Sequence, residues 1–452
     1  MAENQDYASG NGGIKALLLN FIHSQSFSGI FLFFCAVVAM ISANSALSES
    51  YFHLWHTEIG FFIGETFIGM SLHHWINDVL MSFFFLMVGL EIKRELLFGE
   101  LAGIKRAAFP AIAALGGMIV PAIVYTLFNF GTDSAHGFGI PMATDIAFAL
   151  GVLLLLGDKV SLALKVFLVS LAVVDDLGAV VVIAIFYTED LQTLWLLYSV
   201  VILGLLIGLN KMGVRSLFPY AILGVLLWIT VHNCGIHATI AAVALAFTIP
   251  VKPKIESENF AQEAKELLER FLSHDKERAN LLLASEQVHS VELLSKHSKS
   301  VQSPLVRLEH ALHPWSAYFI MPVFAFANAG VAISSNIHFD IDGVLPGIML
   351  GLIVGKPVGI LGLTYLAEKM GIATRPEGVM WIDILGAGML AGIGFTMSIF
   401  ITNLAFTNPE ATDVAKIAIL SASLFAGALG YFFISIRCRF KKKKEACCTI
   451  KS

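Results

Sequence analysis

Long apolar runs separated by short polar stretches repeat along this chain. They lie near 28–45, 74–97, 107–129, 140–156, 161–187, 193–210, 216–232, 236–250, 313–333, 344–367, 382–405 and 413–437. A helix needs ~20 residues at ~1.5 Å each to cross the hydrocarbon of a bilayer. The pattern therefore predicts an all-α polytopic membrane protein with about twelve transmembrane helices. The eighth run is the shortest. The polar remainder divides into an N-terminal segment 1–27, the helical domain 28–437 and a basic tail 438–452. Two longer interruptions fall inside the domain. Segment 46–73 mixes aromatics (Tyr51, Phe52, Trp55, Phe61, Phe62) with polar residues and reads as a hairpin or a surface piece. Segment 251–306 is long and charged. Phe260, Ala264, Leu267, Leu268, Phe271 and Leu272 recur there at helical spacing, which predicts an amphipathic helix followed by a Ser/Lys/His-rich linker.

Lysine and arginine orient the runs. Lys93, Arg94, Lys105 and Arg106 follow the second, Lys159 the fourth, Lys211 and Arg215 the sixth, and Lys369 and Arg375 the tenth. The tail carries Arg437, Arg439 and Lys441 to Lys444. The intervening loops 46–73, 130–139, 188–192, 233–235 and 334–343 contain neither residue; Lys416 alone breaks the alternation. The positive-inside rule then places both termini, and the charged insertion, on the cytoplasmic side.

Composition agrees with a membrane protein. The chain has 452 residues, 57% of them hydrophobic and 14% charged, and a mean hydropathy of +0.77, which excludes an ordinary soluble domain. The five cysteines, Cys35, Cys234, Cys438, Cys447 and Cys448, have neither metal-ligand nor disulfide spacing. No cleavable signal peptide is expected, because the first apolar run is long enough to remain as a helix.

The candidate chemistry lies inside the apolar runs. Asp175 and Asp176 sit in the middle of the fifth, in LAVVDDLGA. Each carboxylate at mid-membrane costs roughly 2.5–3.5 kcal/mol on the insertion scale, which marks a functional site. Neighbours on a helix project ~100° apart, so one can face an ion cavity and the other a partner helix. The fourth run is interrupted by Pro141, Thr144 and Asp145, and the eleventh by four glycines that include Gly392 and Gly394. Two interrupted spans in opposite halves are the signature of a secondary transporter with inverted repeats. Asp145 would balance the exposed helix N-termini and a cation the C-termini. Lys356, in GKPVGI of the tenth run, needs a carboxylate partner or else loses its proton; Asp175 or Asp176 is the natural partner. Glu91 and Glu95 end the second run, Arg307 and Glu309 precede the ninth, and His237 begins the eighth.

These stretches resemble the NhaA family of bacterial sodium/proton antiporters. The match is carried by ATDIAFALG (143–151), LAVVDDLGA (171–179), LEHALHPW (308–315), FAFANAGV (324–331), GKPVGI (355–360) and GIGFTMSIF (392–400), with WINDVL (75–80) and GLEIKREL (89–96). It covers roughly 20–435, interrupted by 254–304. The resemblance implies a twelve-helix bundle in which the fourth and eleventh helices are broken and cross. It implies an electrogenic transporter, not an enzyme, that extrudes sodium and lithium against two protons per sodium and serves pH and sodium homeostasis. The family's ion site falls on Asp175 and Asp176, its polar pair on Thr144 and Asp145, and its membrane lysine on Lys356. Its pH-response positions fall on Glu91, Glu95, Arg307, Glu309 and His237. No cofactor is implied; the partners are the bilayer, the ions and a second copy of the chain, with no nucleic acid. Three departures stand out. The best-known form of the family has a further glutamate at about Pro253, an insertion follows it here, and the 46–73 segment, where a dimer-forming hairpin would fall, is divergent. Two rivals are weaker. A solute symporter would need a polar pocket beside the ion site. An intramembrane aspartyl protease would need a Gly-x-Gly-Asp motif, which is absent.

Overall fold

The computed structural model describes residues 25–63, 66–188, 191–273, 283–333 and 343–449. Most of the expected 1–27 segment, most of the 334–343 loop, residues 274–282 of the insertion and the last three residues of the tail lie outside the described residues.

Helix α1 (Gln25–Ala43) is followed by α2 (Ser48–His56), β1 (Glu58–Ile63) and β2 (Thr66–Ser71). The strands pair antiparallel with Glu58 opposite Ser71, so segment 46–73 contains both a helix and a hairpin. Next come α3 (Leu72–Phe98), α4 (Ile104–Asn129), a 3-10 stretch Asp133–Met142, α5 (Ile146–Leu155), α6 (Leu162–Phe186), α7 (Thr193–Lys211), α8 (Leu217–Asn233) and α9 (Ala238–Thr248). The insertion forms α10 (Ser257–Ser273) and α11 (Ser285–Val301). Then follow α12 (Pro304–Trp315), α13 (Met321–Asn328), α14 (Val344–Lys369), α15 (Trp381–Ala391), α16 (Phe395–Ala405) and α17 (Pro409–Thr449).

Among the described residues, six helices are long and apolar enough to cross a membrane, or nine if each bent pair is one span. The bent pairs are α1 with α2 (111°), the 3-10 stretch with α5 (41°) and α15 with α16 (50°). The three remaining apolar runs fall on α8, on α9 and on α12 with α13. Helix α9 has 11 residues, hence ~16 Å of rise, well short of a bilayer core.

The chain divides into two compact units: residues 1–84, 95–189 and 314–452 in the first, and 85–94 with 190–313 in the second. In the first, α4 and α14 approach so closely that a Cβ on Gly116 would collide with the carbonyl of Gly359. Two spans packed through small residues gain backbone contact that bulky side chains would prevent. Helix α14 passes through a π turn at Gly351–Gly355, immediately before Lys356 and Pro357. Pro357 has no N–H, so the carbonyl one helical turn before it loses its usual donor and the ladder loosens there. The second unit is built on Leu90, Leu206, Tyr220, Leu227, Ala246 and Leu305.

The insertion departs from its sequence reading. The expected Ser/Lys/His-rich linker contains a second helix, α11, folded back on α10. His297 Nδ1 lies 3.0 Å from Glu263 Oε2, Gln287 donates to the Phe271 carbonyl at 3.3 Å, and the amides of Lys254 and Ile255 donate to Ser300 O at the base. Gln287 and Ser290 are the buried positions of α11, Leu293 and Leu294 are half-buried, and Val288 and Val291 stay exposed, so the packed face is largely polar and apolar periodicity does not mark it.

Candidate functional site

Three residues without helical hydrogen bonding, Ala143, Thr144 and Asp145, separate the 3-10 stretch from α5. Asp145 has an extended backbone and caps α5, its carboxylate accepting from the Phe148 amide at 3.0 Å. Gly392, Ile393 and Gly394 separate α15 from α16. The glycines there are not needed for an unusual φ, since Gly392 (−66°) and Gly394 (−90°) both lie in the ordinary helical region. What they supply is room: a Cβ on Gly392 would sit 2.5 Å from the Leu352 carbonyl, and one on Gly394 would overlap Ser398.

The two interruptions meet. The Asp145 amide donates to the Ile393 carbonyl at 2.7 Å. Asp145 Oδ2 accepts from both the amide (3.2 Å) and the hydroxyl (2.5 Å) of Thr396 at the start of α16. One carboxylate thus sits at the N-termini of α5 and α16, where partial positive charge gathers. The Phe395 amide is satisfied by Ser423 Oγ at 3.1 Å, and Ser398 donates to Ile140 O at 2.8 Å.

Asp175 and Asp176 lie in the middle of α6, each 2% exposed. Lys356 is 1% exposed, and its Nζ lies 3.0 Å from Asp175 Oδ2 and donates to Thr144 Oγ1 at 2.5 Å. The Thr144 hydroxyl lies 2.6 Å from Asp175 Oδ2 and 3.0 Å from Ala391 O, at the C-terminal end of α15. One hydroxyl proton serves one of those two acceptors at a time. Among the described residues, Asp175 Oδ1 is buried without a hydrogen-bond partner. Thr144, Asp145, Asp175, Asp176, Lys356, Gly392 and Gly394 therefore belong to one buried constellation. The structure selects Asp175 as the hydrogen-bonded partner of Lys356. Carboxylate and hydroxyl oxygens are the ligands a hard cation takes.

The other candidates take hydrogen-bond partners that are not members of this group. Glu309 is 7% exposed and pairs with Arg94, whose Nε is 3.0 Å from both carboxylate oxygens. Lys93 donates to the carbonyls of Phe247 (2.7 Å) and Ile249 (2.5 Å), closing the end of α9. Arg307 donates to Lys299 O at 3.2 Å, and Glu95 accepts from the Glu100 amide at 3.1 Å. His237 caps α9, and its Nδ1 lies 2.8 Å from Thr239 Oγ1. Sequence reasoning did not single out Thr396, Ser398 or the Arg94 partnership. Each is an ordinary residue in the sequence whose role depends on the helix that packs against it.

The family described as Na+/H+ antiporter 1 matches this chain over residues 19–434. The chain belongs to that family. It is a transporter rather than an enzyme by that membership. The relatives it resembles include the Na(+)/H(+) antiporter NhaA 2 of Helicobacter hepaticus, 59% identical over 96% of this chain and 98% of that protein. NhaA of Helicobacter pylori strain G27 is 58% identical over 94% and 96%. NhaA 1 of Aliarcobacter butzleri is 48% identical over 94% and 98%. The resemblance drawn from the motifs is thereby borne out at family level.

Proposed function

We propose that this Na+/H+ antiporter is electrogenic and works by alternating access of the Asp175–Asp176 site. The observation that carries the reading is the buried Lys356–Asp175 pair beside two abutting helix interruptions. At ~3 Å and an effective dielectric of about 20, the pair attracts by roughly 5 kcal/mol. A cation that ligates Asp175 competes directly for that carboxylate, so sodium and the lysine's hold on it exclude one another. Protons compete for the same oxygens. Sodium leaves when the site faces outward, protons bind there, and the loaded site returns inward. A site that holds sodium or protons, and is open to one side at a time, makes exchange obligatory.

Two protons per sodium follow if two groups of the constellation titrate in each cycle, and the net charge moved makes the exchange electrogenic. Lithium binds the same oxygen ligands. The remaining parts of the reading are twelve spans, crossing of the two interrupted helices, an inner-membrane location with cytoplasmic termini, and a homodimer formed through the β1–β2 hairpin. Glu91, Glu95, Arg307, Glu309 and His237 supply the pH response, and the cell gains pH and sodium homeostasis. No resident cofactor enters this mechanism.

The test is sodium-driven proton release in everted vesicles. Asp175→Asn and Asp176→Asn each insert in the membrane and abolish the signal. Near-normal exchange and apparent sodium affinity in either variant refute the assignment.

A further inference from the structure

A second polar cluster lies in the same unit and plays no part in the site above. Asn328, 0% exposed at the end of α13, donates from Nδ2 to Asn77 Oδ1 at 3.0 Å. Its Oδ1 accepts from Asn403 Nδ2 at 2.7 Å and from His73 Nε2 at 3.0 Å. Asn77 Nδ2 lies 3.2 Å from both ring nitrogens of His73. The network joins three elements: α3 at its π turn Trp75–Leu80, α13, and α16.

Its connectivity fixes the ring. An amide oxygen only accepts, so Nε2 of His73 donates to Asn328. Asn328 Nδ2 also donates to Phe324 O at 3.0 Å, which fixes which end of that amide faces the ring. An amide nitrogen only donates, and Nε2 already carries a proton, so of the two ring nitrogens beside Asn77 Nδ2 only Nδ1 can accept from it. The network therefore fits the neutral imidazole alone. A proton added at Nδ1 faces a donor; the Asn77 amide must turn or withdraw, and the Asn77–Asn328 bond breaks with it. The added charge also faces Lys416 of α17, His74 of α3 and His56 of α2, and Lys416 in turn faces Asp413.

Helix α16 links this cluster to the ion site. Thr396 holds Asp145 at one end and Asn403 enters the network seven residues later, ~10 Å along a helix. By the Lys/Arg alternation, α3 begins, and α13 and α16 end, at the outer side. Hydrogen bonds between neutral amides can be exchanged for bonds to water with little loss, which suits a closure that must open repeatedly.

We propose that the His73–Asn77–Asn328–Asn403 network is an outward-side latch on α16, and that a proton arriving at His73 from outside releases it. Opening would then be coupled to arrival of the ion the site must load. The proposal rests on the antiporter reading given above for what the latch guards.

The test uses the full chain in sealed, oriented vesicles, with its own cysteines replaced and Ile399→Cys introduced. Ile399 is 0% exposed and lies on α16 between Thr396 and Asn403. A membrane-impermeant thiol reagent is added to the outer side. Asn403→Ala and Asn328→Ala speed labelling about tenfold at about pH 7.5, the factor that a ~1.4 kcal/mol population shift gives. His73 and His73→Gln chains label equally at that pH. At about pH 4.5 the His73 chain labels about tenfold faster than His73→Gln, and comparison at one pH cancels the titration of the thiol itself. Equal rates at low pH overturn the proposal, as does labelling that the network variants raise only from the inner side. Sodium–proton exchange is followed on the same vesicles. A chain that labels as expected but moves no sodium upholds the latch and refutes the antiporter reading.

Discussion

Lys356 carries the sharpest question at the scale of a residue. Its Nζ touches Asp175 Oδ2 and Thr144 Oγ1 and is nearly removed from solvent. Removing one partner of such a pair leaves an uncompensated buried charge, at a cost of about 3–5 kcal/mol. In the proposed cycle, sodium at Asp175 would take the lysine's counter-charge, and the lysine would respond by losing its proton. Lys356→Gln keeps a donor for Thr144 but cannot titrate, so the net charge moved per sodium falls. The membrane potential generated per sodium in proteoliposomes measures this. An unchanged ratio would make Lys356 a fixed partner and assign both protons to the aspartates. The adjacent aspartates and the lysine stood out in the sequence because charge inside apolar runs is costly. Thr396 did not. A threonine near a helix start is common, and only the carboxylate of Asp145 from another element gives it a task.

At the scale of elements, the two interruptions have different local causes. Pro141 and the capping carboxylate of Asp145 end one helix and start another, and both signals are visible in the chain itself. At Gly392 the cause is the neighbour, since the Leu352 carbonyl occupies the space of a side chain. Gly392→Ala therefore costs about 1–3 kcal/mol, the usual penalty of overpacking. Gly362→Ala serves as the contrast. Nothing lies within 4 Å of a Cβ there, and alanine is favoured over glycine in a helix by about 1 kcal/mol. Thermal unfolding of the detergent-solubilised variants should show a lower midpoint for the first and an unchanged or higher one for the second. A tolerated Gly392→Ala would mean that α14 and α15 can separate at this point. The second insertion helix, α11, shows the limit of element reading. Its buried positions are Gln287 and Ser290 while Val288 and Val291 stay exposed, and it is the Phe271 carbonyl of α10 that gives Gln287 a partner.

For the whole molecule, the Lys/Arg alternation gives a further expectation. A reporter fused after the last residue is active in its cytoplasmic form and silent in its external form, and the opposite result overturns the topology together with the outward placement of the His73 latch. Hydropathy and charge alternation were legible without a structure because the bilayer imposes them on each segment separately. A span must be apolar whatever it packs against, and a loop's charge is read as the chain inserts. The same logic exposed Asp175, Asp176, Lys356, Thr144 and Asp145, whose polarity conflicts with their surroundings. Tertiary structure alone decided which aspartate meets Lys356, that Asp145 serves two helix N-termini, that Arg94 pairs with Glu309, and that three asparagines and a histidine close into one network. Those are relations between segments far apart in the chain. Hydrogen bonds of this kind are set by distance and direction across packed helices, and one-dimensional periodicity carries no information about either.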